Sequence, residues 1–226
     1  MLASTSHQLS YLAPPSAVPL EDPRLSLYLV PNDPERTTLV SPTGEGIYQV
    51  TTSKPRTLGG PAVTVLKRRA HSTGDSVVAE IEWRRWGAHP VVRSSIFDGV
   101  LQKLKIHDLL HNKGGRFSLT RYFLGNDDIM YRWKLVQGIG YVLTNRRSGK
   151  EVARFTQEVV TDGFFRGERK WLLSIEPGTL NVDIIILTFI IVEKRRRDRV
   201  TDYMAITRED DEDPDEGPGA EFGGEV

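Results

Sequence analysis

The side chains in this 226-residue chain best suited to chemistry are cations in runs: Lys67-Arg68-Arg69, Arg84-Arg85, Arg146-Arg147 and Lys194-Arg195-Arg196-Arg197-Asp198-Arg199. Guanidinium and ammonium groups held close together raise the local potential, and such a patch attracts anions, phosphate esters among them. If Lys67, Arg68 and Arg69 stand at a strand end neighbouring that of Arg84 and Arg85, their fields add into one anion-binding surface. The same residues fit equally a barrel that carries Arg at its strand ends for solubility. The run from Lys194 also has the composition of a nuclear import signal. Cations at a helix C-terminus, where the macrodipole favours them, account for it without import.

Other constellations carry less. His107 and His111, with Asp108, would share a face only if residues 106–111 were helical, since positions i and i+4 project together. Two solvated histidines on a loop or strand end are the simpler expectation. Glu80 and Glu82 lie on one face of a strand and invite comparison with a glycosidase carboxylate pair, but they alternate with apolar residues and read as a solvated outer face. Gly138-Ile139-Gly140 lacks the third glycine and the following helix of a dinucleotide loop, and no nucleophile elbow, Walker loop or HExxH motif occurs. With no cysteine in the chain, disulfides, thiolate zinc sites, a catalytic thiol and palmitoylation are excluded. The expectation is a protein without catalysis, cofactor or metal.

Formal charge sums to zero, with 30 basic and 30 acidic residues. The balance is uneven along the chain. Residues 207–226 hold nine Asp/Glu against Arg208 alone, net −8, so the remaining residues carry +8. The acidic end reads as a solvated tail that could screen the basic body. Residues 1–24, with Pro14, Pro15, Pro19 and Pro23 among Ser and Ala, predict a disordered leader, and they lack the charged region and apolar run of a secretory signal. These features predict a cytoplasmic location, with a peripheral-membrane or nuclear one as variants, and no nucleic-acid partner.

The elements that must position the cations are short strands separated by turn residues. Leu25–Val30, Thr37–Val40, Ile47–Thr52, Val63–Arg68, Val91–Phe97, Tyr122–Leu124, Ile129–Leu135, Tyr141–Thr144, Val152–Phe155 and Trp171–Ile175 are read as strands. Val77, Ala79, Ile81 and Trp83 alternate with Val78, Glu80, Glu82 and Arg84, which predicts a strand with the first set inward. Leu101–Leu110 is ambiguous. Ile184–Val192 is different in kind, because Thr188 is its sole polar residue and no face is free of apolar side chains. A buried strand and a sheathed helix both satisfy that pattern. Thr179 or Asn181 as a cap, Asp183 in the first turn and Lys194–Arg197 after the run favour a helix from about 180 to 194. The run is too short to span a membrane, which takes about 20 apolar residues.

About a dozen strands and one apolar helix pose the question of what encloses the helix, and a closed antiparallel barrel has a lumen of that width. The order Gly46-Ile47-Tyr48, Ala79-Glu80-Ile81-Glu82-Trp83, Tyr131-Arg132-Trp133-Lys134, Val152-Ala153-Arg154-Phe155 and Asp183-Ile184-Ile185-Ile186-Leu187-Thr188-Phe189, continuing to Glu193-Lys194-Arg195-Arg196, resembles an uncharacterised fungal (basidiomycete-type) domain family. That family is similar to the tubby C-terminal, LURP-one and phospholipid-scramblase group. The resemblance covers roughly Leu25 to Val200. It implies a mainly β fold, a closed antiparallel barrel of about 12 strands around a C-terminal hydrophobic helix, as one domain over 25–206 between the leader and the tail. It further implies a non-catalytic module that docks on phosphoinositide headgroups, here through Lys67, Arg68, Arg69, Arg84 and Arg85. Lipid scrambling is not implied, because cysteine and an acidic calcium loop are lacking. The alternative is a protein-interaction or regulatory scaffold whose acidic tail occupies or recruits a partner, with an enzyme third.

Overall fold

A computed structural model describes residues 24–54, 60–69, 74–83, 89–97, 99–113, 118–178 and 180–202. The leader up to residue 23, the acidic tail, and Arg84 and Arg85 lie outside the described residues. In chain order the elements are β1 (Leu25–Val30), β2 (Arg36–Val40), β3 (Gly46–Ser53), β4 (Ala62–Arg68), β5 (Ser76–Trp83), β6 (Val91–Ser94), β7 (Gln102–Lys105), α1 (Ile106–Leu109), β8 (Arg121–Leu124), β9 (Met130–Val136), β10 (Gly140–Asn145), β11 (Glu151–Val159), β12 (Arg169–Ile175) and α2 (Val182–Asp202). The fold is mainly β, with one helix at its C-terminal end.

All twelve strands belong to one antiparallel sheet in the order β7-β6-β5-β4-β3-β2-β1-β12-β11-β10-β9-β8. Each strand pairs with a neighbour in sequence except where β1 joins β12, with Leu25 opposite Ile175 and Tyr28 opposite Leu172. The sheet's two edges, β7 and β8, are not hydrogen-bonded to each other, so the closed barrel expected from the sequence is not completed by its backbone. The chain leaves β7 at Ile106, whose N–H donates to the Pro90 carbonyl, and makes a single helical turn. His111 then exchanges two backbone hydrogen bonds with Tyr122 of β8. Ile106, Leu109 and Leu110 of this connection are buried in the main core. Short, lysine-bearing β7 is the kind of edge that resists further pairing.

In α2 the Asn181 side chain caps the first turn by accepting from the Asp183 N–H at 2.8 Å. Ile184 to Val192 are between 0 and 2 % exposed. Successive helical residues are rotated by about 100°, so nine consecutive buried positions leave no face of the helix uncovered. Inward side chains such as Leu27, Leu66, Ile81, Trp133, Leu143 and Phe155 share that core. Phe189 lies against Phe155 and Trp133, at ring separations of 4.6 and 6.0 Å. Thr188, the one polar residue of the run, donates to the Ile184 carbonyl at 2.8 Å and accepts from Trp133 Nε1 at 3.0 Å. The helix continues to Asp202 instead of ending near Lys194. Pairs at i+3 and i+4 carry it onward: Glu193 holds Arg196 and Arg197, and Lys194 holds Asp198.

Two local readings are corrected. In β5, Leu66 pairs with Ala79 but Lys67 pairs with Val77, so the register skips Val78. This bulge turns Val78 inward and leaves Val77 exposed, while Ala79 and Ile81 point inward as expected. Glu82 is buried and ion-paired to Arg93, with Glu80 half-buried beside the same guanidinium, so the pair is not a solvated face. A second, smaller core forms on the outer face, where Val160 and Phe165 after β11 pack on Tyr28, Val40 and Leu172.

Alternating strand direction gives the sheet two rims. The first holds the start of α2, the Arg68 end of β4, and the β2–β3 and β6–β7 turns. The second holds the far half of α2, the Trp83 end of β5, the β1–β2 turn and the approach to β8.

Candidate functional site

On the first rim, Arg68 Nη1 donates to Asp183 Oδ2 at 3.1 Å and the Tyr48 hydroxyl donates to Asp183 Oδ1 at 2.6 Å. Asp183 is buried. Burial, and then the hydrogen bond to Asp183, push the Tyr48 hydroxyl well above the usual phenol range. Arg68 is therefore committed to anchoring the helix start. The side chains of Lys67 and Arg69 make no hydrogen bond or ion pair with a described residue, and Arg69 runs over Gly46, where a Cβ would stand 3.1 Å from its Nη1.

The strand ends leading into the two expected cation groups are not neighbours. Antiparallel pairing sets Arg68 opposite Ser76 and Ala62 opposite Trp83, so β5 ends at the other end of β4 from Lys67–Arg69. Arg84 and Arg85 themselves lie outside the described residues. What the first rim does present beside Lys67 and Arg69 is apolar surface. Val100 and Leu101 on the β6–β7 turn are 66 % and 72 % exposed, and Phe164 is 70 % exposed. The Phe164 N–H donates to the Pro42 carbonyl of the β2–β3 turn at 2.9 Å, which fixes it at this rim.

The remaining sequence candidates do not assemble. His107 pairs with Asp108 at 2.9 Å and its ring lies 4.5 Å from that of His89. His111 stacks on Tyr122, and burial, reinforced by Lys113, lowers its pKa. Because α1 is one turn, these histidines share no helical face, and among the described residues no three His, Asp or Glu side chains converge as a metal site would need. Gly138 and Gly140 form the β9–β10 turn, and Gly140 is required because a Cβ there would meet the Phe155 carbonyl oxygen. Arg146 lies over the Tyr122 ring at 5.9 Å.

On the second rim the run Lys194–Arg199 is folded inward, not displayed as a linear signal. Glu193 is fully buried and accepts from Arg196 Nε and Nη2, both at 2.8 Å, and from Arg197 Nε at 2.7 Å. Arg197 also ties α2 to the β1–β2 turn through the Asn32 carbonyl and side-chain oxygens at 2.8 and 2.7 Å. Lys194 bridges Glu35 and Asp198, both at 2.9 Å, with its ammonium 5.0 Å from the centre of the Trp83 ring. Arg121 is buried at the start of β8 and donates to the Ser118 and Thr120 carbonyls, each at 2.7 Å. Arg199 reaches the same Ser118 oxygen at 3.2 Å.

Residues 32–198, from the β1–β2 turn to the last turns of α2, match the family of unknown function DUF6593. The chain belongs to that family. No curated protein and no solved structure matches it. The first-rim residues Lys67, Arg69, Val100, Leu101, Phe164 and Asp183 of this DUF6593 chain fall within the matched span, as does α2 on the second rim up to Asp198. Sequence reading passed over Arg121, Tyr141 and Glu193. For Glu193 a signal existed in the acidic residue closing the apolar run, with arginines at i+3 and i+4. For Arg121 and Tyr141 none did, since their partners are distant in sequence.

Proposed function

We propose that this DUF6593 chain is a non-catalytic module of the tubby-like kind, a barrel-like sheet wrapped on α2 whose first rim docks on anionic phospholipid headgroups, phosphoinositides included. One observation carries the reading. Lys67 and Arg69, which have no anionic partner among the described residues, share a rim with exposed Val100, Leu101 and Phe164. Cations meet headgroups while apolar tips enter the boundary beneath them, the combination that interfacial binding needs. No helix of the described residues is long and apolar enough to cross a membrane, so the contact is assigned to the rim.

Sedimentation with phosphatidylcholine vesicles, with and without a phosphoinositide, tests this. Binding should require the phosphoinositide and weaken with salt, since screening acts beyond about 10 Å at 0.1 M. Lys67→Gln with Arg69→Gln should reduce affinity about 30-fold, at about 1 kcal/mol per cation near an anionic surface. Undiminished binding by that variant overturns the assignment. A protein-interaction scaffold is the second reading, favoured by the same apolar tips, and it is the one supported if the vesicles are ignored at every salt concentration.

A further inference from the structure

We infer that Val77, Val100 and Leu101 form one apolar ledge beside Lys67 that enters the boundary between lipid headgroups and acyl chains, and that the bulge in β5 is what brings Val77 to it. The inference rests on the headgroup docking proposed for the first rim. It adds to that reading one residue, a depth and an orientation.

Strand register places these residues together. Leu66 of β4 stands opposite Ala79, Ala79 opposite Ser94, and Ser94 opposite Gln102, so the four make one row across β4, β5, β6 and β7. At about 4.8 Å per strand the row is about 14 Å wide. On its first-rim side lie Lys67, the next residue of β4, and Leu101 and Val100, which immediately precede Gln102. Val77 lies on that side too, as the cross-strand partner of Lys67.

The bulge decides which valine is displayed. In a regular ladder Val78 would stand opposite Lys67, and Val77, one residue further along, would point inward as Ala79 does. Because the register skips Val78, that residue is buried in the main core and Val77 takes the exposed place beside Lys67. Val77 belongs to neither core, so its exposure contributes nothing to packing within the chain.

Of the six large apolar side chains exposed among the described residues, three lie on this ledge, next to a lysine with no anionic partner among those residues. Large apolar side chains gathered on one surface mark a contact with something apolar. A bilayer offers what this combination requires at every point of its surface, because phosphates overlie acyl chains. A lysine keeps its stem on apolar surface and its ammonium at a phosphate, while the apolar tips reach about 5–10 Å into the boundary. Docked by this ledge, the start of α2 faces the bilayer and its far end points away, about 30 Å back for a helix of 21 residues.

The chain contains no cysteine, so Val77→Cys and Leu101→Cys each carry a single environment-sensitive fluorophore in the full chain. Val159→Cys is the matched control. Val159 has the same 54 % exposure as Val77, and β11 carries it about 20 Å beyond Ala153, which lies level with Leu25 at the first-rim end of β1. With phosphatidylcholine vesicles containing phosphatidylinositol bisphosphate, emission from positions 77 and 101 should shift to the blue and be quenched by acyl-brominated phosphatidylcholine, and emission from 159 should do neither. Val77→Thr keeps β-branching at an exposed position and should fold as the parent chain does, yet it should sediment with these vesicles about fourfold more weakly. If the full chain binds while the label at 77 stays in water, or if Val77→Thr binds undiminished, the ledge is overturned and headgroup docking stands. Equal blue shifts at 77 and 159 overturn it as well, since the ledge allows a single orientation. If the unlabelled chain ignores the vesicles, both readings fall, and contact with an apolar protein surface is the one left.

Discussion

Glu193→Gln keeps the size of the side chain and removes its charge, which makes it a direct probe of how α2 is held at its far end. The carboxylate is fully buried and accepts three hydrogen bonds of 2.7–2.8 Å from Arg196 and Arg197. The amide presents an N–H₂ group to a guanidinium and removes the anion that Arg196 and Arg197 share. Removing one partner of a buried ion pair costs about 3–5 kcal/mol. The arginine side chains are 27 % and 31 % exposed, so solvent recovers part of the loss and the lower end, about 3 kcal/mol, is expected. For a protein whose total stability is on the order of 5–15 kcal/mol, that is a large fraction. In urea, with a slope of roughly 2 kcal/mol per molar, the midpoint should fall by about 1.5 M at unchanged slope. Adding Arg196→Met should recover part of this, a non-additivity expected of groups in one network. A midpoint shift under about 0.5 M for Glu193→Gln would refute the reasoning, because exposed pairs are worth at most about 1 kcal/mol.

Phe189→Ala should cost about 3–5 kcal/mol and Ile186→Ala about 2–5 kcal/mol by urea denaturation, since both are fully buried; near-neutral values would mean that α2 is not sheathed. Tyr48 and Tyr131 have hydroxyls raised above the ordinary 10.0 by burial first and by hydrogen bonds to Asp183 and Asp127. A folded pKa above the unfolded one stabilises the protein below pH 10 and ceases to do so as pH rises past it. The urea midpoint should thus begin to drop as pH rises above about 10, less steeply in Tyr48→Phe; a slope unchanged in that variant removes Tyr48 from the account. Finally, a chain ending at Thr207 lacks the net −8 segment and should bind phosphoinositide vesicles more tightly than the full chain at low salt, the two converging as salt rises. Equal affinities at low salt would leave the acidic segment as a solubilising appendage.

Local patterns in the chain carried most of the elements. β1 coincides with Leu25–Val30, and most other strands lie within a residue or two of their expected bounds, because alternation and turn residues are properties of neighbouring positions. β11 runs on to Val159, as its polar far half pairs with β12 from Thr156 to Val159, and β6 stops at Ser94, where the turn toward β7 begins. The flanks of the apolar run, Asn181 and Asp183 before it and basic residues after it, decided helix over strand, and Asn181 is the cap.

Whatever depended on distant partners was settled only in three dimensions. The inward parity of Val78 comes from a bulge opposite β4, a register choice invisible within β5. Lys67–Arg69 and the end of β5 stand at opposite ends of β4 because antiparallel pairing reverses the chain, whereas adjacency in sequence suggested a single patch. The edge between β7 and β8 is left open by the turn of α1. Arg121 and Arg199, far apart along the chain, meet on one carbonyl oxygen of Ser118, and the buried Glu193 turns a run of arginines from a displayed signal into an internal brace. Periodicity reports which face of an element avoids water. Which charges then come together is set by the order and register in which the sheet closes on its helix.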